Sequence, residues 1–147
     1  MKDAAGILAF VLLTAHWLAD YPFQTDAQAK RKAGWTEGDK DPHPGRHHHG
    51  WGANLAHAAT HVITSAALLL VAAAVLDLRP SLPAAAGALV WLGVSHSVID
   101  RRWPVARWMS WARQAGFAAH GGAAHVDQTA HVALGILPAV LLIAGLS

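Results

Sequence analysis

Residues 4–24 read AAGILAFVLLTAHWLADYPFQ, an apolar run interrupted by one histidine and one aspartate, His16 and Asp20. On a helix, residues four apart lie on one face with Cβ atoms about 5–6 Å apart, so this run presents an imidazole and a carboxylate to a single point. The same design recurs three times: His57 with His61 in residues 53–77, His96 with Asp100 in residues 82–100, and Asp127 with His131 in residues 127–146. Spacing alone does not single these pairs out, because Asp39 with His43 and His43 with His47 share it in polar sequence. Their setting does. Between Ala4 and Phe23, Asn54 and Leu76, and Ser81 and Asp100, the pairs are the only His, Asp, Glu, Lys or Arg present. Ionisable groups inside apolar membrane segments are costly, face the bundle interior and mark function.

Composition agrees with a membrane setting. The chain has 147 residues, 54% hydrophobic and only 14% charged, whereas a soluble domain carries about 25% charged residues. The expectation is an all-α protein: a single integral-membrane helical domain over 1–147, built as a four-transmembrane-helix bundle from two helical hairpins. The spans are residues 4–24, 53–77, 82–100 and 127–146, each near the ~20 residues that cross a bilayer. Pro22, Pro80 and Pro83 fall at span edges, while Pro138 lies inside the fourth and predicts a kink there. The polar stretch from Asp26 to Gly52 reads as loop, with a short helical extension through Lys32. Arg107, Trp108, Trp111 and Arg113 predict a short interfacial helix near 103–114, where Trp is favoured at headgroup depth. The first run has little basic character at its front and no small-residue cleavage site, so it reads as a retained helix rather than a signal peptide.

The formal charge is +2, but the basic residues flank apolar segments and form no nucleic-acid module, so a nucleic-acid partner is not expected. Nine Lys and Arg (Lys30, Arg31, Lys32, Lys40, Arg46, Arg101, Arg102, Arg107 and Arg113) fall in the first and third connections, against Lys2 and Arg79 on the other side. The positive-inside rule then puts those two connections in the cytoplasm and both termini outside it. Under that topology all four pairs sit at one depth near the cytoplasmic face. A pseudo-two-fold axis along the membrane normal relates the two hairpins in this reading.

With no cysteine, a metal here takes nitrogen and oxygen ligands. The candidate ligands are His16, Asp20, His57, His61, His96, Asp100, Asp127 and His131. Eight exceed the four of a usual zinc ion, so two divalent ions bridged by a carboxylate are expected, zinc first, with iron and manganese open. Asp20 or Asp127 is the candidate catalytic carboxylate, to bridge ions or take a proton. Gln24 and Gln128, close to them in sequence, are candidates to orient ligands or a bound water. The loop histidines His43, His47, His48 and His49 read as solvated, His120 and His125 as interfacial, and most of the seven Trp as membrane-interface anchors.

The runs His16-Trp17-Leu18-Ala19-Asp20-Tyr21-Pro22-Phe23-Gln24-Thr25-Asp26, His96-Ser97-Val98-Ile99-Asp100 and Asp127-Gln128-Thr129-Ala130-His131 resemble the signatures of bacterial and phage membrane proteins grouped as the domain of unknown function 3307 family. Tyr21 stands where that family leads one to expect Phe. The resemblance implies a multi-pass protein of the bacterial cytoplasmic membrane and names no activity. A looser likeness is to membrane-bound metal-dependent hydrolases, by analogy alone. The reading these residues support is a metal-dependent hydrolase of a lipid or lipid-linked ester or phosphoester, with a dinuclear site near the cytoplasmic face. The alternatives are a di-iron oxidase or hydroxylase of acyl chains, and a metal carrier, sensor or structural metal site.

Overall fold

The computed structural model describes residues 4–36 and 47–146. Its helices are α1 (Ala5–Asp20), α2 (Asp26–Arg31), α3 (Trp51–Leu76), α4 (Leu82–Ile99), α5 (Trp103–Trp111), α6 (Ala115–Phe117), α7 (Ala123–Ala130) and α8 (Leu137–Gly145). A kink at Ala118–Gly122, where His120 and Gly121 leave helical backbone, and a π-helical segment, His131–Ile136, join the last three into one apolar stretch. The first connection also holds a short antiparallel ribbon, β1 (Trp35–Thr36) with β2 (His47–His48), paired Trp35 to His48.

Helix α1 packs on α3, α3 on α4, α4 on α8, and α8 back on α1. Leu8, Leu12, Leu69, Ala88, Leu92, Ile136, Val140 and Ile143 fill the centre of one half of this ring. Buried Ala15, Ala19, Ala58, Ala72, Ala84 and Ala139 let the backbones approach, as small residues do between membrane helices. The outward faces carry exposed Phe10, Ile63, Leu70, Val75 and Leu82, and helices that are apolar all round belong in lipid or in a core. Helices α3 and α4 and the stretch Ala115–Gly145 are long and apolar enough to cross a membrane, and α1 is a shorter apolar helix beside them. Their length and composition point to a multi-pass membrane protein.

The boundaries differ from the sequence expectation for local reasons. Helix α1 ends at Asp20 rather than continuing to 24, because Pro22 lacks an amide hydrogen and disfavours helix at the residue before it. Its 16 residues span about 24 Å, short of the ~30 Å hydrocarbon core. Thr25 then opens α2 with a reciprocal cap: its hydroxyl accepts from the Gln28 backbone N–H at 3.2 Å while the Gln28 side chain accepts from the Thr25 N–H at 2.8 Å. Gly50 (φ 70°) turns the chain into α3. A Cβ there would collide with the Arg31 carbonyl, so glycine lets the end of α2 lie against the start of α3.

The fourth span begins near Ala115 instead of 127, with a break at His120 and Gly121 (φ 87°). Its expected irregularity at Pro138 is present one turn earlier, as the π segment His131–Ile136. Pro138 has no N–H to give the carbonyl of Leu134 four residues back. The indole N–H of Trp91 donates to that carbonyl instead, at 2.8 Å.

Candidate metal centre

At the end of the bundle opposite the apolar core, α1 and α4 finish while α3 starts and the π segment opens. Four antiparallel neighbours therefore bring local i,i+4 pairs to one level. His16, Asp20, His57, His61, His96, Asp100 and His131 are all buried there, none more than 9% exposed. The imidazoles pack against each other: ring centroids lie 3.5 Å apart for His61 and His96, 4.2 Å for His96 and His131, 4.7 Å for His57 and His61, and 5.2 Å for His16 and His61.

Two carboxylates organise these rings. Around Asp20, Nε2 of His57, His61, His16 and His96 lie at 3.0, 3.2, 3.3 and 3.8 Å. Around Asp100, Nε2 of His96, His57 and His131 lie at 3.1, 3.5 and 3.8 Å. Donor atoms set tetrahedrally about one zinc ion at ~2.0–2.1 Å stand ~3.3 Å from each other, the middle of this range. Two groups could hold an ion among the described residues: Asp20, His57, His61 and His96, and His96, Asp100 and His131, each with donor atoms within 4.8 Å of one another.

The hydrogen bonding is incomplete in the same place. His96 Nε2, Asp100 Oδ2 and His131 Nε2 are buried without a hydrogen-bond partner, a costly condition for polar atoms out of water. The Gln24 amide lies 2.8 Å from His57 Nε2, and Asp20 Oδ1 lies 3.0 Å from the same nitrogen. One imidazole nitrogen cannot accept from the amide and donate to the carboxylate at once. Among the described residues, the two buried carboxylates are met by one half-buried ammonium, Lys32, whose Nζ is 2.8 Å from Asp100 Oδ1. With neutral imidazoles the centre carries net negative charge, which a cation would offset. On its deep side, His16, His61, His96 and His131 line a void of about 10 Å³, close to the size of one water.

Neighbours set the orientation of individual donors. His131 Nδ1–H donates to the Asp127 carbonyl at 3.0 Å, which leaves Nε2 as the nitrogen with a lone pair facing the cluster. The Gln128 amide donates to Asp20 Oδ2 at 2.8 Å and its oxygen accepts from His16 Nε2–H at 3.0 Å, so one side chain of α7 clamps both members of the α1 pair. The buried Asn54 and Ser97 join α3 to α4 one turn away. Asn54 Nδ2 donates to the Ser97 carbonyl at 3.1 Å, and the Ser97 hydroxyl donates to Asn54 Oδ1 at 2.5 Å.

Of the eight sequence-predicted ligands, Asp20, His57, His61, His96, Asp100 and His131 fall in the two groups. His16 lies in contact with them through Asp20 and Gln128. Asp127 stands apart: its side chain is 25% exposed, with Oδ2 3.5 Å from His131 Nδ1. Gln24 reaches His57 and Gln128 reaches Asp20. His43 and the side chain of His47 lie outside the described residues, and His48 stacks on Trp35 at 4.0 Å. Lys32, by sequence a membrane-flanking charge, reaches into the cluster. Its one signal was the Thr25-Asp26-Ala27-Gln28 cap, which predicts a short helix ending beside it. Asn54 and Ser97 carried no comparable signal.

Comparison with curated proteins and with solved structures finds no match. The family described as protein of unknown function (DUF3307) matches residues 8–145, nearly the whole chain, and the protein belongs to that family.

Proposed function

We propose that this protein is a membrane-embedded, two-ion metal-dependent hydrolase that cleaves a lipid or lipid-linked ester or phosphoester at the cytoplasmic face. One nitrogen ligates one ion, so His96 serves a single ion even though it belongs to both groups. Dividing the donors by hairpin assigns Asp20, His57 and His61 to one ion and His96, Asp100 and His131 to the other. Each ion then has three protein ligands and an open position, the pattern of catalytic rather than structural zinc. The nitrogen and oxygen donor set suits zinc first, with iron and manganese as the other candidates. The observation that carries the reading is the set of buried ligand atoms that make no hydrogen bond, His96 Nε2, Asp100 Oδ2 and His131 Nε2, with His96 Nε2 3.1 Å from Asp100 Oδ2 and His131 Nε2 3.8 Å from Asp100 Oδ1.

Paired divalent ions supply an activated nucleophile and offset charge on the departing oxygen. The chain's own part is positioning. Gln128 holds Asp20, the Asp127 carbonyl holds His131, and Lys32 pairs with Asp100 Oδ1, which leaves Oδ2 beside His96. Asp127 is the half-buried carboxylate at the edge and the candidate to accept a proton from water.

Elemental analysis of the detergent-purified protein tests the metal site. About two zinc equivalents per chain are expected, falling to about one in His61→Ala or His131→Ala. Full occupancy in both variants, or no bound metal in the wild type after zinc supplementation, overturns the proposal. Metal-dependent turnover in a lipid ester and phosphoester screen, abolished by chelation and restored by zinc, tests the chemistry. Stoichiometric metal without turnover refutes hydrolysis and leaves a carrier or structural role.

A further inference from the structure

A cavity of about 680 Å³ lies between α2, α5 and the α6–α7 region, in the size range of small-molecule sites. It borders the cluster through Asp100 and Asp127. Lys32 and Arg102 stand on its polar side, and Val105 and Met109 wall its apolar side. Lining of both kinds in one cavity calls for a ligand with both a charged and an apolar part.

The cations are not equivalent. Lys32 is committed to Asp100 at 2.8 Å, while the exposed guanidinium of Arg102 makes, among the described residues, one long hydrogen bond, 3.5 Å to the Ala29 carbonyl. Arg102 sits in left-handed backbone (φ 62°), a conformation that non-glycine residues seldom adopt and that gathers at functional sites when the surroundings impose it. The surroundings are visible. Arg101, one residue earlier, donates to the Lys32 carbonyl at 2.8 Å and stacks over Trp51 at 4.4 Å. The sharp turn this requires after α4 places Arg102 at the cavity, in front of the end of α2. An arginine with free donors beside a lysine is suited to phosphate oxygens, which accept from its planar fork. Helix α5 meanwhile presents Trp103, Trp108 and Trp111 as exposed side chains on its outer side, the residues favoured at headgroup depth.

We propose that this cavity seats a phosphate-bearing amphiphile, its anionic group on Arg102 and Lys32 and its acyl chain along Val105 and Met109, with the bond next to the phosphate toward Asp100 and Asp127. As a substrate site it rests on the two-ion reading. As a binding site it does not, and the two are separable by experiment.

Binding to the detergent-solubilised full chain is followed by native mass spectrometry and by Trp fluorescence, with metal content measured on the same samples. The probes are lysophosphatidate, monoacylglycerol of the same chain length, and inorganic phosphate. Lysophosphatidate is expected to bind about tenfold or more tightly than monoacylglycerol, since charge-assisted hydrogen bonds are worth that much. Inorganic phosphate is expected to bind weakly, because it leaves the apolar wall unused. Arg102→Gln should lower lysophosphatidate affinity about tenfold and spare monoacylglycerol. Ala106→Trp, which fills the cavity from an exposed position, should lower affinity for both lipids. Metal content should hold in both variants. Equal affinity for the two lipids, inorganic phosphate binding as tightly as lysophosphatidate, or unchanged lysophosphatidate binding in either variant overturns the proposal. Lipid binding that persists in a wild type devoid of metal overturns the two-ion reading alone.

Discussion

Lys32→Met removes the one ammonium that, among the described residues, meets the candidate centre, and it keeps the apolar character of the stem. In the wild type the Lys32 and Asp100 side chains are 13% and 2% exposed, with Nζ and Oδ1 2.8 Å apart. An exposed pair is worth about 0–1 kcal/mol, but stripping one member from a buried pair leaves an uncompensated charge and costs about 3–5 kcal/mol. Burial decides for the larger figure. Thermal unfolding in detergent with chelator present should therefore show Lys32→Met melting roughly 6–20 °C lower, at about 2–4 °C per kcal/mol for a chain near this size. Zinc should then close part of the gap, because a cation at Asp100 Oδ2 offsets the charge that Lys32 no longer balances. Arg79→Ala is the control: its partner Asp77 lies 2.9 Å away, but both side chains are more than 80% exposed, and no change is expected. A chelated Lys32→Met protein that melts with the wild type would refute the reasoning, since Asp100 would then need no counter-charge. A fall that zinc leaves untouched would show that the ion does not bind at Asp100.

Gly50→Ala should destabilise by more than the ~1–2 kcal/mol of left-handed backbone, because its Cβ also meets the Arg31 carbonyl; a melting temperature equal to the wild type would contradict the close approach of α2 to α3. Trp91→Phe should cost about 1 kcal/mol by orphaning the Leu134 carbonyl, and Trp91→Phe combined with Pro138→Ala should cost less than the separate effects summed, since the alanine returns an N–H; strict additivity in this cycle would deny the exchange of donors. A reporter fused after Ser147 should score outside the cytoplasm and one inserted near Asp39 inside it, from the nine-to-two distribution of Lys and Arg; opposite signals would invert the orientation.

What the sequence determined by itself was everything set by local spacing and composition. Apolar runs such as residues 4–24 announce helices of near-membrane length, and an i,i+4 pair within a run needs no partner to define its own face. His16 and Asp20, His57 and His61, and His96 and Asp100 were legible for that reason, as was the short helix through Trp108 and Trp111. The tertiary structure alone decided which groups meet. Lys32 reaches Asp100, Asn54 grips Ser97, Trp91 replaces the missing amide of Pro138, and Gln128 spans from α7 to Asp20 and His16. Each contact joins residues dozens to more than a hundred positions apart. No periodicity records such partners, because they follow from the rotation and depth at which packed helices settle. Asp127 shows the same limit from the other side: its spacing to His131 matches the other pairs, yet its side chain on α7 is 25% exposed at the cavity edge. Helix spacing says that two side chains share a face, and only the packing of the neighbouring helices says what that face looks at.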